Sequence, residues 1–111
     1  SAMRLLPLFT DAATVGVSTL IDFGSRTGPA FRAGSVRLAP GQRVPAEGVS
    51  VHAADEVSYI VAGSLTGVCG GAEFATVAGE VSLISAGEEH WAVAGPDGAE
   101  IFWCWYGDVD G

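Results

Sequence analysis

The sequence predicts an all-β domain, a sandwich or barrel, from three observations. Sixteen glycines in 111 residues break the chain at short, regular intervals. The runs between them are rich in Val, Ile, Thr, Phe, Tyr and Trp, residues that suit a pleated, half-buried surface. No segment carries convincing helical apolar spacing beyond a single turn near residues 9–13. The length is that of one domain, and a 49% hydrophobic content excludes a disordered chain.

Taken in order, strands are expected at 15–23, 35–39, 56–62, 64–69, 73–77, 81–85, 90–94 and 100–106. Turn residues separate them at Pro40-Gly41, Gly63, Gly70-Gly71, Gly79, Ala86-Gly87 and Pro96-Asp97-Gly98. The last of these, between two apolar runs, reads as a hairpin. Residues 26–33 read as a loop able to cover a barrel mouth. Residues 1–2, Ser-Ala ahead of Met3, read as a cloning remnant, which leaves 3–111 as the single domain. The closing run Ile101-Phe102-Trp103-Cys104-Trp105-Tyr106 is apolar on both faces. One face belongs in the core and the other needs a cover, either a second copy of the chain in a homodimer or the segment 5–9.

Thirteen acidic residues face five basic ones, all arginine, for a net charge of −8. The absence of lysine excludes Schiff-base chemistry and a phosphate-loop lysine. The acidic balance argues against nucleic acid and against an anionic membrane surface as partners. No apolar run reaches the length of a membrane span, and no secretory signal is visible. Cys69 and Cys104 do not make a disulfide framework. They read as two small buried hydrophobes in a reducing, cytoplasmic setting.

The chemistry concentrates on two histidines, each beside carboxylates: His52 ahead of Asp55 and Glu56, and His90 after Glu88 and Glu89. In one straight strand, His52 and Glu56 would sit about 13 Å apart at roughly 3.3 Å per residue. A tight turn over Ala53-Ala54-Asp55 would instead bring them together from adjacent strands, with His90 completing the set. Two histidines and one carboxylate form a facial triad that leaves positions open on an ion such as Fe(II), Mn, Ni, Co or Zn. The bland alternative is a hydrogen-bonded His52–Glu56 pair at a barrel mouth, with His90 a strand-start residue.

These residues also carry a family resemblance. His52, three residues, Glu56, six residues and Gly63 resemble the latter part of the first cupin motif, G-x5-H-x-H-x3,4-E-x6-G. Gly79, five residues, Ser85-Ala86-Gly87, two residues and His90 resemble the second, G-x5-P-x-G-x2-H-x3-N. The departures are Ser50 for the first histidine, Gly41 lying three residues too far upstream, Ser85 for proline and Ala94 for asparagine. The resemblance implies a single cupin-type double-stranded β-helix (jelly-roll) barrel, RmlC-like in fold. It implies a divalent metal, Fe(II) foremost, on His52, Glu56 and His90, since some cupin oxygenases use that reduced set. The activity implied is of a dioxygenase, isomerase or lyase type on a small organic molecule. A non-catalytic small-molecule-binding barrel and a metal-independent epimerase-like barrel using His and Tyr stay open.

Ser50, Arg43, Tyr59 and Trp103 are the candidate substrate-pocket residues. Arg suits a carboxylate or phosphate, and Tyr59, Trp91, Trp103 and Trp105 can line an aromatic pocket or simply pack. Arg37 is a second arginine near the first motif. Glu88 and Glu89 can serve as acid or base, or form a solvated turn. No catalytic residue is assigned.

Overall fold

The computed structural model describes residues 3–9, 15–23 and 30–110. Among them are seven strands and no helix: β1 (Gly16–Asp22), β2 (Ala30–Leu38), β3 (Arg43–Val44), β4 (Ala54–Cys69), β5 (Ala72–Val77), β6 (Val81–Ile84) and β7 (His90–Gly107). Among the described residues no helix is therefore long and apolar enough to cross a membrane.

Two long strands organise the rest. β4 and β7 run antiparallel over their whole length, from Ala54 opposite Gly107 to Cys69 opposite His90. The register shifts between Ile60 and Ala62 and again between Gly63 and Leu65, and there both strands turn a corner. Gly63 permits the corner in two ways. Its φ of +78° is a left-handed conformation that costs other residues energy. A side chain there would also collide with the Gly98 carbonyl on β7. Before the corner, β4 and β7 carry β6, β2 and β1; after it they carry β5 and β3. The two halves thus form two sheets made largely from the same two strands. Ile60, Ile101, Trp103, Val36 and Leu38 from one half meet Leu65, Ala92 and Ala94 from the other in a single core.

Several expected elements change. Residues 56–62 and 64–69 are one strand, and so are 90–94 and 100–106. Pro96-Asp97-Gly98 is therefore not a hairpin, because its flanks both pair with β4 rather than with each other. β2 begins at Ala30, so residues 30–33 are strand rather than loop; residues 26–29 lie outside the described residues. The possible helical turn also falls mostly outside them, at 10–13. The short β3 was not expected.

Period-two alternation assigns the faces. In β4, Ala54, Glu56, Ser58 and Ile60 turn inward while Asp55, Val57, Tyr59 and Val61 turn outward. On the outer side, the Ser35 hydroxyl donates to the Leu8 carbonyl at 2.7 Å and the Arg37 guanidinium lies 4.1 Å over the Phe9 ring. The N-terminal segment thus covers β2. Val57, Tyr59, Val81, Leu83 and Tyr106 are left exposed on the neighbouring outer face.

Candidate metal centre

His52 precedes β4 by two residues, at a bend around Ala53, and Glu56 is the second inward residue of that strand. The two therefore come from one bent segment, not from adjacent strands as the sequence suggested. The Nδ1 of His52 lies 3.0 Å from the Ala54 carbonyl. His90 opens β7 in the same manner, with Nδ1 2.9 Å from the Glu88 carbonyl. When Nδ1–H donates to a carbonyl, the Nε2 lone pair is left free, as in many metal sites. Reciprocal backbone hydrogen bonds between Ser50 and His90, and one from Gly87 to the His52 carbonyl, pin the two loops together.

The Glu56 carboxylate is held from both sides. One oxygen accepts the Trp105 indole N–H at 2.8 Å, and the other accepts the Ser58 hydroxyl at 3.0 Å. The His52 and Glu56 side chains are 8% and 17% exposed, with Nε2 3.3 Å from Oε1. That contact is an ion pair when His52 is protonated but lacks hydrogen-bond geometry, so Nε2 is a buried polar atom without a hydrogen-bond partner. The His52 ring stacks on Trp105 at 4.3 Å and meets His90 edge-on at 5.1 Å.

These features pass a fit test for an ion. One ligand atom from each of His52, Glu56 and His90 lies within 4.8 Å of the others. Facial or tetrahedral ligand atoms on one ion, with bonds of roughly 2.2 Å, stand about 3.1–3.6 Å apart, so a pair at that limit has to close by about 1 Å. A buried lone pair with no donor is costly unless something occupies it. Two imidazoles and one carboxylate suit Fe, Mn, Co, Ni or Zn.

The protonation directions agree with this. Glu56 is the main influence raising the His52 pKa, against burial, which lowers it; the Ala54 carbonyl adds to the rise. Burial pushes the Glu56 carboxyl up, but His52, Trp105 and Ser58 outweigh it and hold the net value below the ordinary one. Cys69 faces the same cavity but does not join the ligand group. Burial pushes its thiol up, and Glu88 and Glu56 push in the same direction. Both cysteines are free and half-buried rather than fully buried.

A cavity of about 690 Å³ adjoins the three ligands. Its wall includes Val36, Ile60, Leu65, Phe74 and Ile101, and also Ser50 and Trp103. The Trp103 indole N–H is buried without a partner. Arg43 is not on this wall; it lies 4.7 Å over the Trp91 ring and donates to the Pro45 carbonyl. Tyr59 is not on it either. Flanked by inward Ser58 and Ile60, it must face outward, where it is 44% exposed. Arg37 pairs with Glu100 at 2.7 Å. Glu88 accepts the Ser85 N–H in its own turn, and Glu89 is exposed, so both follow the turn reading. The residues that sequence reasoning missed as partners of Glu56 are Ser58 and Trp105. Ser58 shares the strand parity of Glu56, and Trp105 is its partner in the β4–β7 register.

No protein-family model matches the chain, and no curated protein matches it. Solved structures do. An RmlC-like cupin family protein with a double-stranded β-helix fold from Methanocaldococcus jannaschii gives a TM-score of 0.74 at 14% identity, over 97% of this chain and 94% of that one. A Cupin 2 conserved barrel domain protein from Salinispora arenicola gives 0.70 at 24% identity, over 95% and 89%. The DMSP lyase DddQ from Ruegeria pomeroyi gives 0.61 at 19% identity, over 76% of this chain and 41% of the lyase. The likeness is one of fold: this chain is folded as a cupin double-stranded β-helix.

Proposed function

We propose that this cupin barrel holds a divalent transition metal on His52, Glu56 and His90 and acts on a small organic molecule bound beside it. The observation that carries the reading is the buried, unpartnered Nε2 of His52 converging with the other two ligand atoms. Three protein ligands leave positions open on an ion, which supplies Lewis-acid chemistry, or redox chemistry if it is Fe(II). Fe(II) is the favoured occupant, with Mn, Ni, Zn or Co as alternatives.

The chain's own residues set what can bind. The backbone carbonyls of Ala54 and Glu88 aim the two imidazoles. Trp105 and Ser58 hold the carboxylate ionised and in place. Apolar walls exclude water from the substrate, and the free Trp103 N–H offers it one donor. Among the described residues, no arginine beyond Arg32 lines the cavity, and Arg32 already pairs with Asp22 and Asp110. A neutral, largely apolar substrate with one chelating polar group fits this wall best. A dioxygenase, isomerase or lyase reaction is compatible with it, and the lyase name of one structural neighbour supports the last.

Binding without turnover is the second reading. It is favoured by the polar neighbours of the ligands, Ser50, Ser58 and Cys69, which include no strong acid or base. The metal-independent epimerase reading loses ground because both tyrosines, Tyr59 and Tyr106, are exposed. A homodimer through the exposed outer face of β4, β6 and β7, in a reducing cytoplasm, completes the proposal.

The test is metal content by mass spectrometry of untagged protein, with His52→Ala and His90→Ala beside it. Near-stoichiometric metal in the wild type, lost in both variants, is the expected result. Iron then directs the search to oxygen consumption, and zinc or nickel to lyase and isomerase substrates. Protein that carries no metal and takes none up on titration overturns the metal reading.

A further inference from the structure

We infer that Trp105 is the positioning residue of the metal centre, orienting two of its three ligands at once. The inference rests on the metal reading above and adds a residue that neither motif contains. Trp105 lies directly opposite Glu56 in the β4–β7 register. Its indole N–H donates to Glu56 at 2.8 Å, and its ring stacks on His52 at 4.3 Å with 29° between the planes. One rigid side chain therefore fixes the carboxylate through a hydrogen bond and the imidazole through a face. Nothing comparable supports His90, whose ring meets His52 edge-on.

Trp105 is itself held by further neighbours. Val109, 3% exposed, packs with Ala30, Ala54 and the Trp105 ring. The Arg32 guanidinium lies 6.0 Å from the ring centroid. It is anchored by Asp22, Asp110 and the Val109 carbonyl. The C-terminal residues 109–110 thus brace the tryptophan that braces the ligands. Groups that orient metal ligands typically contribute 10- to 100-fold in affinity.

The experiment titrates wild type and Trp105→Phe with Co2+, reading affinity and the visible d–d absorption, which reports ligand geometry. Phe keeps a ring against His52 and removes the donor to Glu56. The expected result is a loss of about tenfold or more in affinity with an altered d–d spectrum, while circular dichroism of the metal-free protein is unchanged. Val109→Ala, remote from the ligands, is expected to weaken Co2+ binding in the same direction and by less. Affinity within threefold of wild type and an unchanged spectrum for Trp105→Phe overturn the inference and leave the metal reading intact. Wild type that binds no Co2+ overturns both.

If Trp105→Phe does not fold, wild-type NMR decides. The assigned Trp105 indole N–H is expected to exchange slowly with solvent and to shift with stoichiometric Zn2+. A resonance that Zn2+ does not move overturns the inference.

Discussion

Acid should weaken metal binding by an amount that two pKa directions set. Glu56 raises His52 above its ordinary 6.5, and the donors around Glu56 hold it below 4.5. Between pH 4.5 and 6.5, the metal-free site therefore carries a protonated His52 and an ionised Glu56. An ion can enter only as His52 releases its proton. Counting the His52 proton alone, a value of 6.5 makes lowering the pH over this window reduce apparent affinity about 50-fold, and a higher value carries that factor toward about 100-fold. Zn2+ competition against a chromophoric chelator across this range measures the fall. Calorimetry in buffers of different ionisation enthalpy counts the proton released. A fall under tenfold, with the fold intact by circular dichroism, refutes the assignment of His52 as a ligand. Metal-free stability follows the two groups separately. The raised His52 contributes stability fully below 6.5, which is lost as pH rises through its folded value. The depressed Glu56 contributes stability above 4.5, lost as pH falls through its folded value.

Two further outcomes are expected. Gly63→Ala combines a left-handed backbone, costing about 1–2 kcal/mol, with a collision against Gly98. Thermal melting should fall by about 10 °C for a total near 3 kcal/mol, and an unchanged midpoint would show that the β4 corner does not need glycine. Leu83→Glu, at a site 66% exposed, should cost the fold under about 0.5 kcal/mol. It should convert a wild-type dimer to monomer in light scattering, and a monomeric wild type removes the outer face as an interface.

The three candidate ligands were legible because their signals are local. His52 and Glu56 lie on one short segment, and His90 follows a turn whose glycine and spacing are visible in the chain. The strand pattern was legible for the same reason. The errors came where long-range pairing decides. Turn chemistry at Pro96-Asp97-Gly98 fits a hairpin and a corner equally well. The corner is selected by β4, which bends at Gly63 and pairs with both flanks. The outward parity of Tyr59 was hidden because the usual pattern is inverted here, with apolar Val57, Tyr59 and Val61 outside and polar Glu56 and Ser58 inside.

The same pairing explains why the supporting residues were hidden. Glu56 and Trp105 are 49 positions apart, and only the β4–β7 register makes them opposites. Slipping β4 by one residue would turn Glu56 and Ser58 outward and bring Val57 and Tyr59 inward. That change would remove a candidate ligand and its Ser58 donor together, and part Glu56 from Trp105. The shifts beside Ile60 and Gly63 therefore set the geometry of the site as much as the curvature of the barrel. A substitution at the corner should be read for metal affinity as well as for melting temperature, because one set of strand pairs supports both.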